Sequence, residues 1–104
     1  MSETEHNLAS LSRRDDGRYA LRGELGFNTA SQLLKHSGPM FEDGQAITVD
    51  LDGVTRADSA GLSLLIEWWR QARSQGREIQ YINLPEQMLA MAKLGGLEEL
   101  LPVS

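Results

Sequence analysis

The chain has 104 residues, a length that closes one hydrophobic core and leaves no room for a catalytic barrel. Its 10 Lys and Arg against 15 Asp and Glu give a net charge of −5, which argues against nucleic acid, whose phosphates need a basic footprint. Cysteine is absent, which excludes disulfides, thiolate catalysis and Cys-ligated zinc, and no apolar run reaches the roughly 18 residues of a membrane span.

Residues 1–7 (MSETEHN) read as an acidic, polar tail unlike a secretory or transit peptide, so one folded domain is expected over 8–104, in the cytoplasm. Leu8 to Arg14 and Arg18 to Leu25 flank Asp15-Asp16-Gly17, a hairpin turn in which glycine takes positive φ at little cost. In the second arm Tyr19, Leu21, Gly23 and Leu25 alternate with Ala20, Arg22 and Glu24, the period of a half-buried strand. Thr29-Ala30-Ser31-Gln32 reads as a capping box opening a short helix that fades by Ser37-Gly38-Pro39.

Ala46 to Leu51 is the clearest strand: Ile47, Val49 and Leu51 point one way, Thr48 and Asp50 the other, toward water. That alternation implies a sheet covered by helices mainly on one face. Asp52 to Ala57 reads as a loop, and the longest helix follows from about Ser59 to Gln75, stopped by Gly76. Leu62, Leu65, Ile66, Trp69 and Ala72 supply its core stripe, with Leu64 and Trp68 on a flank. Glu78 to Asn83 is a further strand. Pro85 suits a first helical position, Met88 to Lys93 continue that helix, and Gly95-Gly96 end it. Leu97, Leu100 and Leu101 suggest a last short turn tucked on the core. The order β-β-α-β-α-β-α-α describes one α/β domain with a mixed sheet, without internal repeats.

Catalytic chemistry finds little support. His6 and His36 are the only imidazoles, one in the tail and one near a helix end, too few for a metal site or a triad. Ser59 lies between a strand-loop and a helix, but Ala57 stands where the G-x-S-x-G elbow needs glycine. No dinucleotide or phosphate-binding glycine loop is present. Asp50, Asp52 and Asp58 cluster before the long helix, where turn and helix-start chemistry accounts for them without a metal or a proton transfer. No enzyme activity, cofactor or metal is expected.

Asp58-Ser59-Ala60-Gly61-Leu62 carries more information. At the start of the longest helix, free N–H groups and the positive dipole end favour an acceptor or an added phosphate on Ser59; equally, Ser59 can be a plain N-cap. Ala60 and Gly61 are small enough to keep the backbone open to a partner. Trp68, off the stripe with Leu64, is either an exposed anchor for that partner or packed beneath a neighbouring helix. Arg56 and Arg70 either rim such a patch or are simply solvated.

A strand ending in Asp50-Leu51, a short connection, then D-S-A-G-L on a long amphipathic helix resembles the STAS domain (sulfate transporter and anti-sigma-factor antagonist). The resemblance spans nearly the whole chain. It implies a domain that acts by binding, with Ser59 as the phosphorylation or partner-contact position. Ile47-Thr48-Val49-Asp50-Leu51, Asp58 to Leu62, Asn83-Leu84-Pro85-Glu86-Gln87 through Leu94, and Leu100-Leu101-Pro102 are similar to the MlaB type. That implies an accessory subunit of the Mla phospholipid transporter of a Gram-negative host, which maintains outer-membrane lipid asymmetry. Such a subunit binds the ATPase MlaF and, through it, MlaE and MlaD, and sits at the inner membrane without inserting. The contact surface implied is Ser59, Ala60, Gly61, Leu64, Trp68 and Arg56. Ser59, where MlaB-like chains can carry Thr, also fits the alternative of a phosphorylatable antagonist of an anti-sigma factor.

Overall fold

The computed structural model describes residues 8–42 and 44–96. The expected tail, including His6, and the leucine-rich turn at Leu97, Leu100 and Leu101 lie outside them. Strand β1 (Ala9–Arg13) pairs antiparallel with β2 (Tyr19–Leu25), in register from Ala9↔Gly23 to Arg13↔Tyr19. The hairpin closes as expected: the Arg14 N–H reaches the Arg18 carbonyl at 2.7 Å, and Gly17 takes φ +87°, which a side chain would disfavour. After β2 come helix α1 (Ala30–His36) and a 3₁₀ turn (Gly38–Phe41). Then follow β3 (Ile47–Ala57), α2 (Ser59–Ser74), β4 (Ile79–Ile82) and α3 (Glu86–Leu94).

The four strands lie in sequence order, β1-β2-β3-β4, with β2, β3 and β4 parallel. Crossovers of the usual right hand put α1 and α2 on the same face. The opposite face is left with Ser10, Ser12, Arg22 and Gln80 exposed. The mixed sheet with helices mainly on one face is thus as expected. The core lies between sheet and helices, where Leu21, Val49, Leu51 and Tyr81 meet Leu65, Trp68 and Met88. The Tyr81 hydroxyl donates to the Leu65 carbonyl at 2.7 Å, and burial raises its pKa. Among the described residues no helix is long and apolar enough to cross a membrane.

Four expectations need correction. Asp52 to Ala57 is not a loop: it pairs with β2 through Gly53↔Arg22, Val54↔Gly23, Arg56↔Glu24 and Ala57↔Leu25. At two register shifts β3 carries one residue more than β2, so bulges in β3 absorb the glycine-containing stretch and strand pairing overrides its turn-like composition. Second, Asp50 does not face water. It sits on the helix-free face, 8% exposed, and accepts from Arg14 at 2.8 Å, from Asn83 at 2.9 Å and from the Asp52 N–H at 2.9 Å. Third, Thr29 forms no cap bond to α1; its hydroxyl donates to the Glu24 carbonyl at 2.7 Å and accepts from the Gly26 N–H at 3.0 Å. Fourth, Pro85 precedes α3 and is not its first residue.

The buried arc of α2 is also turned from the expected stripe. Leu64 and Trp68 are in the core with Leu62, Leu65 and Ala72, while Ile66 and Trp69 are only half-buried. At about 100° per residue, Leu64 and Trp68 lie on the side of α2 shared with Gly61, the side pressed to the sheet. Trp68 thus packs beneath the helix and is no surface anchor. Its Nε1 donor finds no partner among the described residues.

Two outcomes follow. Trp68→Ala is expected to cost about 3–5 kcal/mol, whereas Trp68→Phe changes stability by less than about 1 kcal/mol, because losing the unpaired donor offsets a smaller void. Urea unfolding of both variants measures the difference. For Asp50, burial pushes the carboxyl pKa up, but the bonds from Asn83, the Asp52 N–H and Arg14 outweigh it and hold the value below the ordinary one. A depressed pKa stabilises the fold above the unfolded value, about pH 4, and the contribution is lost as pH falls through the folded value. Asp50→Asn should therefore be less stable than wild type near pH 7, with the gap closing below about pH 4 in a urea series across pH.

Candidate functional site

The parallel strands β2 and β3 end side by side, at Leu25 and Ala57. Their outgoing loops therefore emerge together, and the candidate site forms where they do. From β3 the chain enters α2 through Asp58, whose extended backbone and carboxylate make it the N-cap. Asp58 Oδ1 accepts from the Ala60 N–H at 2.8 Å and the Gly61 N–H at 3.2 Å. Ser59 is therefore not the cap. It is the first helical residue, exposed, and its hydroxyl makes no hydrogen bond among the described residues.

From β2 the chain turns through Gly26-Phe27-Asn28. The Phe27 N–H donates to Asp58 Oδ2 at 3.3 Å, while the Phe27 ring stands 84% exposed. This bond, ahead of those from Gly61 and Ala60, holds the Asp58 carboxyl below its usual pKa against the opposing effect of burial. A shallow groove runs between the two loops, lined by Glu24, Phe27, Asn28, Arg56 and Asp58.

The expected contact residues divide accordingly. Ser59 and Arg56 are exposed beside the groove, and Ala60 is half-buried next to them. Gly61 is not open to a partner: it is buried against β2, where a Cβ would run into the Leu25 carbonyl oxygen. Leu64 and Trp68 belong to the core and leave the site. Arg70 is exposed on α2 with Glu67 3.9 Å away, a solvated pair one turn apart. His36 is exposed in the last turn of α1. Among the described residues no three His, Asp or Glu side chains converge as a metal site.

Phe27 was missed in the sequence reading. The available signal was an aromatic residue inside the turn-like run Gly26-Phe27-Asn28-Thr29, where no core periodicity claims it. Phe27 is the exposed aromatic that lines the groove beside Asp58, and an aromatic ring in that position can anchor a partner.

Residues 10–102 match the family described as "Mlab, STAS domain". The chain belongs to this STAS domain family. The anti-sigma-B factor antagonist of Bacillus subtilis (strain 168) is 24% identical over 98 residues, 94% of this chain and 90% of the relative. An anti-sigma factor antagonist from Mycobacterium paratuberculosis shares the fold with a TM-score of 0.72 at 21% identity, over 91% of this chain and 82% of that one. The anti-sigma factor antagonist SpoIIAA in its unphosphorylated form gives a TM-score of 0.65 at 16% identity, over 92% and 86% of the two chains.

The buried role of Gly61 has a measurable consequence. Gly61→Ala gains helix propensity of roughly 1 kcal/mol, yet the clash with the Leu25 carbonyl should leave a net loss of about 1–3 kcal/mol. Ser59→Ala, at an exposed hydroxyl with no bond to lose, should stay within about 0.5 kcal/mol of wild type in the same urea unfolding experiment.

Proposed function

We propose that this chain is a non-catalytic protein-binding module that docks a protein partner through Phe27, Asn28, Arg56 and Ser59, and that phosphate on Ser59 switches the docking, as in an anti-sigma-factor antagonist. The observation that carries the reading is an exposed, unbonded Ser59 hydroxyl at the start of the longest helix, beside an exposed Phe27. Phosphorylation there would add about −1.5 to −2 charge beside Asp58, Glu24 and Arg56, enough to make or break a complex by local electrostatics. The curated relative is named as such an antagonist, and one neighbour in fold is described in its unphosphorylated form. The partner on this reading is a serine kinase that also serves as the anti-sigma factor.

A second reading is favoured by the description of the matching family, which names Mlab. On it the same surface docks the ATPase subunit MlaF and, through it, MlaE and MlaD, as an accessory subunit of the Mla phospholipid transporter at the inner membrane. Ser59 then acts unmodified. The two readings share the surface and differ in the partner and in the phosphate.

Native purification of the tagged chain from detergent-treated membranes and from the soluble fraction, with mass spectrometry of what accompanies it, separates them. Recovery of a serine kinase, with a phosphate mass shift on the chain after ATP treatment, is expected for the antagonist. Recovery of an ABC ATPase with its permease and no phosphate shift moves the assignment to the transporter subunit. In either complex Phe27→Ala is expected to weaken binding at least about tenfold, the size of loss typical of a central aromatic anchor.

A further inference from the structure

The two oxygens of Asp58 serve two different elements. Oδ1 takes the Ala60 and Gly61 N–H groups of α2; Oδ2 takes the Phe27 N–H of the loop leaving β2. The loop is shaped around this contact. A Cβ on Gly26 would lie 2.7 Å from Asp58 Oδ2, so a side chain there forces the loop or the carboxylate to shift. Thr29 folds its hydroxyl back onto Glu24 and Gly26 and holds the loop from the other side. The Asp58 N–H itself donates to the Leu25 carbonyl at 3.2 Å.

We infer that Asp58 is the positioning residue of the docking surface: it tethers the Phe27 loop to the start of α2 and thereby transmits a charge placed on Ser59 to Phe27. The inference rests on the docking surface proposed above and adds to it the coupling between its two exposed residues. The donors at the start of α2 are few, and two of them are committed to Asp58. A phosphate or carboxylate one residue away competes for the same N–H groups and repels the Asp58 carboxylate. As the carboxylate swings away, Oδ2 leaves the Phe27 N–H and the loop is released.

Asp58→Asn separates the tether from the cap. An amide has a single acceptor oxygen, which the two N–H groups of α2 hold, and asparagine is a good N-cap. Its NH₂ then faces the Phe27 N–H, donor against donor. In the ¹⁵N-labelled full chain without any partner, Asp58→Asn is expected to melt within a few degrees of wild type while Phe27 amide exchange accelerates about tenfold, as for loss of one charge-assisted bond. Gly26→Ala, which pushes the loop off the carboxylate, should give the same acceleration without touching Asp58. Ser59→Glu should accelerate Phe27 exchange with the amides of mid-α2 unchanged. Unchanged Phe27 exchange in both Asp58→Asn and Gly26→Ala overturns the tether; unchanged exchange in Ser59→Glu overturns the transmission. Failure of the docking reading shows elsewhere, as Phe27→Ala leaving partner capture intact while the exchange results stand.

Discussion

The parallel pairing of β2 with β3 is the constraint from which the surface follows. Parallel strands finish at the same edge of a sheet, so the loops after Leu25 and Ala57 emerge side by side. Phe27 and Asp58, 31 residues apart in sequence, meet there through one hydrogen bond. The approach of α2 belongs to the same arrangement: Gly61 lets the helix settle on the Leu25 carbonyl, which fixes where Ser59 projects. With a side chain at position 61 the helix would stand off and the two loops would part.

Two aspartates on one strand and its end show how the same group does different work by placement. Asp50 is enclosed by Arg14, Asn83 and the Asp52 N–H on the helix-free face, where it ties the β1–β2 hairpin to the residue after β4. Its role is structural, because leaving so buried a carboxylate without its partners costs several kcal/mol. Asp58 is at the surface and binds only backbone N–H groups, so it organises loops without filling the core. The core residues, Trp68 and Leu64 among them, are not shared with Ser59 or Phe27. Substitutions at Phe27 and Ser59 are therefore expected to leave the core intact, which lets the proposed docking be tested apart from stability.

What was legible in the sequence follows the strength of local signals. The hairpin at Asp16-Gly17, the bounds of α2 and the alternation at Ile47, Val49 and Leu51 were all readable, because glycine φ and side-chain periodicity act over a few residues. The continuation of β3 through Asp52-Gly53 was not, because its hydrogen bonds come from β2, some thirty residues earlier in the chain. The face of α2 was misjudged by part of a turn: Leu62, Ile66 and Trp69 make as good an apolar stripe as Leu64, Leu65 and Trp68, and only the position of the sheet chooses between them. The Asp-Ser-Ala-Gly-Leu motif pointed to the start of α2, yet it assigned Gly61 to the partner when its space is taken by Leu25. Phe27 escaped because exposure is a property of the fold, and a phenylalanine carries no mark of it.

The magnitudes at the start of α2 explain why one phosphate can matter. Two unit charges 4 Å apart in water repel by about 1 kcal/mol, so a phosphate of about −1.5 to −2 beside Asp58 costs roughly 1.5–2 kcal/mol. A hydrogen bond to a charged group contributes about 1.5–3 kcal/mol, so the repulsion is comparable to the Phe27 tether it opposes. At a separation of about 4 Å, well inside the Debye length of about 8 Å at physiological salt, screening would not remove the effect. With Asp58 in place, the helix end cannot simply absorb the new charge as an empty anion site would, because its Ala60 and Gly61 donors are in use. An unmodified Ser59 leaves the tether whole and Phe27 presented, which suits a permanent subunit. On the proposed coupling a phosphorylated one would loosen the same contact, which suits a switch. The same arrangement of backbone and carboxylate fits both proposed kinds of docking, which differ in the partner and in a phosphate of about −1.5 to −2 on Ser59.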